Sequence, residues 1–159
     1  MLSPDVLEYI DRSVLCWLAT VDPSGYPNVS PKEIFCHFGN ENLLIANIAS
    51  PGSSRNILSN SKVCVSFVDI FVQKGYKIKG EATIVEPSNN GFDSYVRPLL
   101  SMTKGMFQIR SIFDIKVELV ERILAPSYIL EPNVTEQDQI KAALKTYGVD
   151  KSKMKLDNC

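Results

Sequence analysis

The sequence lacks an excess of charge of either sign and has very little histidine. It contains 17 lysines and arginines against 18 aspartates and glutamates in 159 residues, a formal net charge of -1. A general nucleic-acid-binding protein would carry a strong basic excess, so no nucleic-acid partner is expected. His37 is the only histidine, and metal sites built on imidazole usually use more than one. No metal site is therefore expected.

Long apolar runs are also missing. No stretch approaches the roughly 20 residues that a membrane-spanning helix requires. The first residues, MLSPDVLEYIDRS, lack the basic segment and the following apolar stretch of a secretion signal. The sequence therefore predicts a cytoplasmic protein with no membrane partner.

None of the four cysteines forms a C-x-x-C pair. Cys16, Cys36 and Cys64 lie in apolar, strand-like patterns, where a free cysteine behaves as a small buried side chain, and the fourth is Cys159. This arrangement favours reduced structural thiols over disulfides or a metal site.

Apolar residues are plentiful enough to form a core, and they follow a β pattern. They make up 45% of the chain, against 22% for charged residues, which is typical of a folded globular domain. Apolar or alternating runs separated by turn signals occur at 14–21, 26–38, 43–48, 62–70, 75–86 and 107–124. Few helical stretches separate them, so the pattern predicts six antiparallel strands in a closed or partly closed barrel.

The remaining segments predict a few helices and one domain. A helix is expected to begin at Ser3 and Pro4, a second spans 91–102, and the clearest spans 135–148, where Thr135 can cap the first turn. We expect a single domain over 1–148 and a flexible, lysine-rich tail over 149–159. Within the run 26–38, Pro27 and Pro31 cannot donate to a sheet, so this strand is expected at an edge or broken.

One connection is longer and more polar than a turn requires. ASPGSSRNILSN (49–60) places Ser53, Ser54 and Arg55 at the start of a short helical turn. Hydroxyls, the backbone N–H groups of a helix start and a guanidinium all donate hydrogen bonds to anions, so together they can bind a phosphate. Lys32 on a neighbouring strand and Lys74 in VQKGYK can add positive charge.

Three segments taken in order are more specific than any one of them. They are WLATVDPSGYPNVSPKE (17–33), SPGSSRNILSNSKVCVSF (50–67) and QKGYKIKGEATIVE (73–86). In order and spacing they resemble the FMN-binding split-barrel family related to pyridoxamine 5'-phosphate oxidase. The resemblance implies a mainly β fold, a six-stranded antiparallel split β-barrel with a few flanking helices. It also implies a homodimer that holds FMN in two clefts at the subunit interface.

The resemblance further implies which residues contact FMN. They come from the strand after the first hairpin, the end of the third strand along the ring system, the hydroxyl-rich corner at the phosphate, and the loop that closes the site. In that order they are Asn28, Ser30, Pro31 and Lys32; Asn47, Ile48 and Ala49; Ser53, Ser54 and Arg55; and Gln73, Lys74 and Gly75. Either Lys32 or Lys74 is expected to face the ring, and no catalytic side chain is assigned.

The implied function is that of an FMN-dependent oxidoreductase with an unassigned small-molecule substrate or electron donor, in which the cofactor supplies the chemistry. Oxidation of pyridoxamine phosphate itself is not expected, because the C-terminal part of the chain lacks an arginine-and-histidine motif for a substrate phosphate. The alternatives are a non-catalytic FMN-binding protein, a deazaflavin-binding protein, and a haem-binding barrel that would use His37 as its axial ligand.

Overall fold

The computed structural model describes residues 1–149, and the predicted tail lies, from residue 150 onward, outside the described residues. The fold is mainly β with a few helices, as the sequence predicts. In chain order the elements are α1 (Pro4–Arg12), β1 (Cys16–Val21), β2 (Pro27–Lys32), β3 (Phe35–Phe38), β4 (Asn42–Asn47), α2 (Pro51–Ser59), β5 (Lys62–Asp69), β6 (Lys74–Val85), α3 (Phe92–Thr103), β7 (Ser111–Leu124), α4 (Ser127–Leu130) and α5 (Glu136–Thr146).

The strands form one antiparallel sheet in the order β2-β1-β5-β6-β7-β4-β3. Its two edges, β2 and β3, are consecutive in the chain and are joined by residues 33 and 34 alone. A connection this short can join opposite edges only if the sheet curls until they meet. The result is a split barrel. Just before β3, Ile34 extends the pairing with β4, accepting a hydrogen bond from the backbone N–H of Ala46 at 2.9 Å.

The sequence-based strand count of six is wrong by one, because the run 26–38 forms two strands. The structure breaks the run after Lys32 and resumes it at Phe35. Pro31 has no N–H to donate, and β2 lies at one edge of the sheet while β3 lies at the other. The predicted break is therefore confirmed, and it separates two strands on opposite edges.

Two clusters of apolar side chains stabilise the curl. The larger lies inside the barrel and contains Phe35, Phe67 and Phe113, all almost fully buried, together with residues of α1 and α2. The smaller lies under α3, around Leu44 and Leu99. No helix in the range 1–149 is both long and apolar enough to span a membrane.

The predicted helices form with local signals that the structure explains. Proline occupies the first turn of α1 and of α2, where its missing N–H costs no hydrogen bond. At α5, the Thr135 hydroxyl accepts from the backbone of Asp138 while the Asp138 carboxylate accepts from the backbone of Thr135, a complete capping box. The helices predicted at Ser3, at 91–102 and at 135–148 each begin within a residue of the predicted start, and the short α4 was not predicted.

Candidate functional site

A cleft opens where the two edges of the sheet meet. It consists of two adjoining cavities, one against the connection between β2 and β3 and the other against the start of α2. The first cavity is lined by Pro31, Lys32, Glu33, Ile34, Ala46 and Phe107, the second by Asn47, Pro51, Ser54, Arg55 and Arg110, and both by Ile48, Ala49 and Ser50. We call the two together the cleft and the second cavity its cationic end.

Lys32 is the unusual residue of the cleft. Its side chain is buried, with 7% exposed, and its ammonium donates to the Ser30 hydroxyl, to the Pro31 carbonyl at 3.2 Å and to the Ser50 hydroxyl at 2.8 Å. Among residues 1–149 no carboxylate lies within 4 Å of it. Burial disfavours the charged form and lowers the pKa of Lys32 below the ordinary value of lysine. A buried charge with only neutral partners is energetically costly.

The cationic end is built on the first turn of α2. Ser50 is the N-cap residue, yet its hydroxyl makes no capping hydrogen bond, because it faces Lys32 instead. The N–H groups of Gly52 and Ser53 precede the first intrahelical bond, which Ser54 donates to the Ser50 carbonyl at 3.1 Å. No acidic residue lies in this turn. The free amides therefore add to the charges of the two arginines that line this end.

Asn47 holds three elements of the cleft together. Its amide nitrogen donates to the Ser54 hydroxyl at 3.1 Å and to the Ser111 hydroxyl at 2.9 Å, and its amide oxygen accepts from the backbone of Ser50 at 3.1 Å. The residue is 9% exposed. It joins the end of β4 to the start of α2 and to β7, so the structure gives its side chain a positioning role.

The structure brings together most of the predicted site residues but not all of them. Ser53 is 2% exposed inside α2 and does not line the cleft. Asn28 lies near the start of β2, away from the cleft, and donates to the Thr20 hydroxyl at 3.4 Å. Ser30 does not line the cleft, and its hydroxyl accepts a hydrogen bond from Lys32, which does.

The segment from Gln73 to Gly75 lies away from the cleft of its own chain. The Lys74 ammonium pairs with Glu136 at 2.6 Å and lies over the Tyr128 ring at 4.4 Å. At Gly75, a Cβ atom would lie 2.0 Å from the Phe67 carbonyl oxygen, so close backbone packing alone requires glycine there.

Seven residues of the cleft were missed by the sequence-based prediction: Glu33, Ile34, Ala46, Ser50, Pro51, Phe107 and Arg110. Only Ser50 and Pro51 had a usable signal, since a serine before a proline marks a helix start, as it does at Ser3. Arg110 reads as a solvated strand charge in the sequence. It reaches the cleft because its backbone N–H donates to the Asn47 carbonyl at 3.0 Å, next to the pairing of β4 with β7.

His37 and the three cysteines among the described residues, Cys16, Cys36 and Cys64, lie outside the cleft lining. His37 on β3 has Nδ1 3.1 Å from the Gly39 carbonyl oxygen and Nε2 3.5 Å from an Asp11 carboxylate oxygen. Burial raises the pKa of Cys16 to about 12 and that of Cys36 to about 11, which keeps both thiols protonated. No three His, Cys, Asp or Glu side chains gather in a metal-binding group within the described residues.

Comparison with known proteins decides the family. The model of the pyridoxamine 5'-phosphate oxidase family matches residues 2–124, about three quarters of the chain. This chain belongs to the pyridoxamine 5'-phosphate oxidase family. No curated protein sequence matches it significantly.

Solved structures of the pyridoxamine 5'-phosphate oxidase fold agree with this assignment. HupZ of Group A Streptococcus superposes with a TM-score of 0.67 at 23% identity, covering 79% of this chain and 96% of that one. An FMN-binding protein of Syntrophomonas wolfei superposes with a TM-score of 0.63 at 15% identity, covering 74% of this chain and 86% of that one. HutZ, the haem storage protein of Vibrio cholerae, superposes with a TM-score of 0.63 at 19% identity, covering 77% of this chain and 94% of that one. At these identities the likeness establishes the split-barrel fold alone.

Proposed function

We propose that this chain binds FMN in the cleft and acts as an FMN-dependent oxidoreductase. The observation that carries the proposal is Lys32, a buried ammonium with no carboxylate partner among residues 1–149. It lies next to an end of the cleft with two arginines and the start of a helix that no side chain caps. A ligand with both a phosphate and an electron-rich planar ring complements this arrangement. The likeness to an FMN-binding protein of the same fold supports the choice of FMN.

The residues present fit FMN in number and kind. In the proposed complex, the phosphate accepts hydrogen bonds from the guanidinium groups of Arg55 and Arg110. Ser54 and the N-terminal end of α2 lie beside it, and the helix dipole adds to the positive potential. Ile48 and Ala49 give the ring an apolar wall, and Lys32 provides a positive charge beside it. When bound, FMN supplies the redox chemistry, while the chain binds it, orients it and limits its contact with water.

We further propose a homodimer. Trp17 and Val29 are exposed apolar side chains on one face of β1 and β2, because the register places Trp17 opposite Pro31 and Ala19 opposite Val29. Pro31 on that face also lines the cleft. A second copy packed there would bury the apolar face and wall the cleft. Gln73, Lys74 and Gly75, which lie away from their own chain's cleft, would then reach it from the partner subunit.

The alternatives have less support in the described residues. Haem needs an axial ligand, and His37 is outside the cleft lining and faces Gly39 and Asp11. A deazaflavin also carries a planar ring, and an F420 reductase shares the fold at a TM-score of 0.59 and 20% identity.

We place the protein in the cytoplasm, consistent with its free cysteines.

The test is reconstitution with FMN, followed by removal of excess ligand on a sizing column. We expect flavin absorption bands that elute with a dimer. Because hydrogen bonds to charged groups contribute about 1.5–3 kcal/mol each, the double variant Arg55→Ala/Arg110→Ala is expected to weaken FMN binding at least tenfold. Riboflavin, which lacks the phosphate, should bind the double variant and the parent equally. Arg97→Ala, an exposed arginine on α3, is the matched control.

Two results would overturn the proposal. One is a colourless protein after reconstitution. The other is a double variant that retains full FMN affinity, which would show that the phosphate does not bind at the cationic end. Lys32→Met should weaken the binding of FMN and riboflavin alike, because Lys32 is proposed to face the ring and not the phosphate.

A further inference from the structure

The two ends of the cleft differ in charge. Arg55 and Arg110 line the cationic end, whereas Glu33, Ile34 and Phe107 line the other. The Glu33 side chain is exposed and, among residues 1–149, has no cationic group within 4 Å. Its carboxylate is therefore free to act on a ligand at this end.

Lys32 does not cancel this negative charge. Its ammonium lies more than 4 Å from the Glu33 carboxylate, and its three N–H groups are all taken by Ser30, Pro31 and Ser50. With 7% of Lys32 exposed, the charge accessible to solvent at this end is the carboxylate of Glu33.

The shape of this end favours a flat ligand. Phe107 is 48% exposed at the mouth of the cavity, and Ile34 and Ala46 form its apolar wall. An aromatic ring stacks well on an exposed phenylalanine, and a cationic ring gains further attraction from the π face. An anionic ring would instead be repelled by Glu33.

We propose that the second ligand of the cleft, the substrate or electron donor, is a planar aromatic molecule that is cationic or uncharged. Phe107 contacts its ring and Glu33 selects its charge, so carboxylates and phosphate monoesters bind more weakly at this end. The inference rests on the proposed function, because that function places the FMN phosphate at the cationic end and the ring beside the buried Lys32. It leaves the exposed part of the first cavity, at Glu33 and Phe107, for a second molecule.

Two probes of similar shape and opposite charge test this: 1-methylnicotinamide, a cation, and nicotinate, an anion. Their dissociation constants are measured by saturation-transfer NMR on the FMN-loaded protein. An exposed charge pair contributes up to about 1 kcal/mol, so attraction and repulsion together should give the cation a fivefold to tenfold preference. Glu33→Gln should remove the preference and Glu33→Lys should invert it. Glu86→Gln, an exposed glutamate after β6, should leave it unchanged.

Phe107→Ala separates the role of the ring from that of the charge. It should weaken both probes by a similar factor and leave their ratio unchanged. Equal affinities for the two probes in the parent protein, a ratio that Glu33→Gln does not change, or no binding of either probe at millimolar concentration would overturn the inference. FMN absorption, recorded for each sample, reports the proposed function separately. If FMN does not bind, the same ratio measured on the apo protein decides the inference.

Discussion

Ser50→Ala removes one hydroxyl from the centre of the cleft and tests how the Lys32 charge is accommodated. In the parent protein the Ser50 hydroxyl accepts from the Lys32 ammonium at 2.8 Å. The variant leaves Lys32 buried, with the Ser30 hydroxyl and the Pro31 carbonyl as its remaining acceptors. Ser50 makes no capping hydrogen bond with its side chain, so a lost cap does not add to the effect.

The expected loss of stability follows from that single hydrogen bond. A hydrogen bond to a charged group contributes about 1.5–3 kcal/mol. Because Lys32 is buried, we expect its hydrogen bond with Ser50 to contribute an amount within that range. A loss of about 2 kcal/mol lowers the melting temperature of a domain of this size by roughly 4–8 °C.

The loss should depend on pH in a direction that the burial of Lys32 fixes. Its pKa is lowered in the folded protein, so between that value and the ordinary value of lysine the unfolded chain binds more protons. Rising pH in that window therefore stabilises the folded state. Ser50→Ala destabilises the charged form of Lys32 further. The stability lost in the variant should therefore be greatest at pH values below the lowered pKa and should shrink as the pH rises toward the ordinary pKa of lysine.

Thermal unfolding followed by circular dichroism at pH 6, 8 and 10 measures both effects. Ser59→Ala is the matched control, because Ser59 ends the same helix and is exposed. If Ser50→Ala costs no more than the control, or costs the same at all three pH values, then Ser50 does not stabilise the Lys32 charge and our reasoning about the cleft is wrong.

Three further predictions concern the frame around the cleft. Gly75→Ala should lower the melting temperature by about 4 °C or more, since overpacking costs about 1–3 kcal/mol and the new Cβ would lie 2.0 Å from a backbone oxygen. Gly52→Ala is the control and should be neutral or stabilising, because a Cβ there would have nothing within 4 Å. Similar melting temperatures for the two variants would contradict this prediction. Asn47→Ala should cost about 2–4 kcal/mol in urea unfolding, because it removes three hydrogen bonds, one of them to the buried Ser111 hydroxyl. A midpoint within error of the parent would remove its positioning role. Alkylation at pH 8, mapped by mass spectrometry, should leave Cys16 and Cys36 unmodified in the folded protein because burial raises their pKa to about 12 and about 11, and rapid labelling of either would refute that.

Local patterns in the sequence predict much of this fold. The alternation in 62–70 and 75–86 becomes β5 and β6, and the signal at Thr135 becomes a complete capping box. These signals work because they depend on residues within one or two turns of each other. The split of 26–38 into strands on opposite edges was missed, since it depends on how the whole sheet curls.

The residues of the cleft also differ in whether the sequence predicts them. Lys32, Ser54 and Arg55 are predictable because their segments carry the family pattern and a helix start. Phe107 and Arg110 are not, because they reach the cleft only through the pairing of β4 with β7, in which Asn47 meets a residue 64 positions away. Nothing near either residue in the sequence indicates that contact.

The difference between Lys32 and Lys74 bears on which lysine faces a ligand. A buried ion pair can often be replaced by apolar residues of similar volume without loss of stability, and a buried ammonium with only neutral acceptors is less favourable still. Stability alone therefore does not explain Lys32, whereas the electron-rich ligand that we propose for the cleft would. Lys74, in contrast, has Glu136 at 2.6 Å and the Tyr128 ring at 4.4 Å. Its charge is matched within its own chain, so we infer that Lys32 is the lysine that faces the flavin ring.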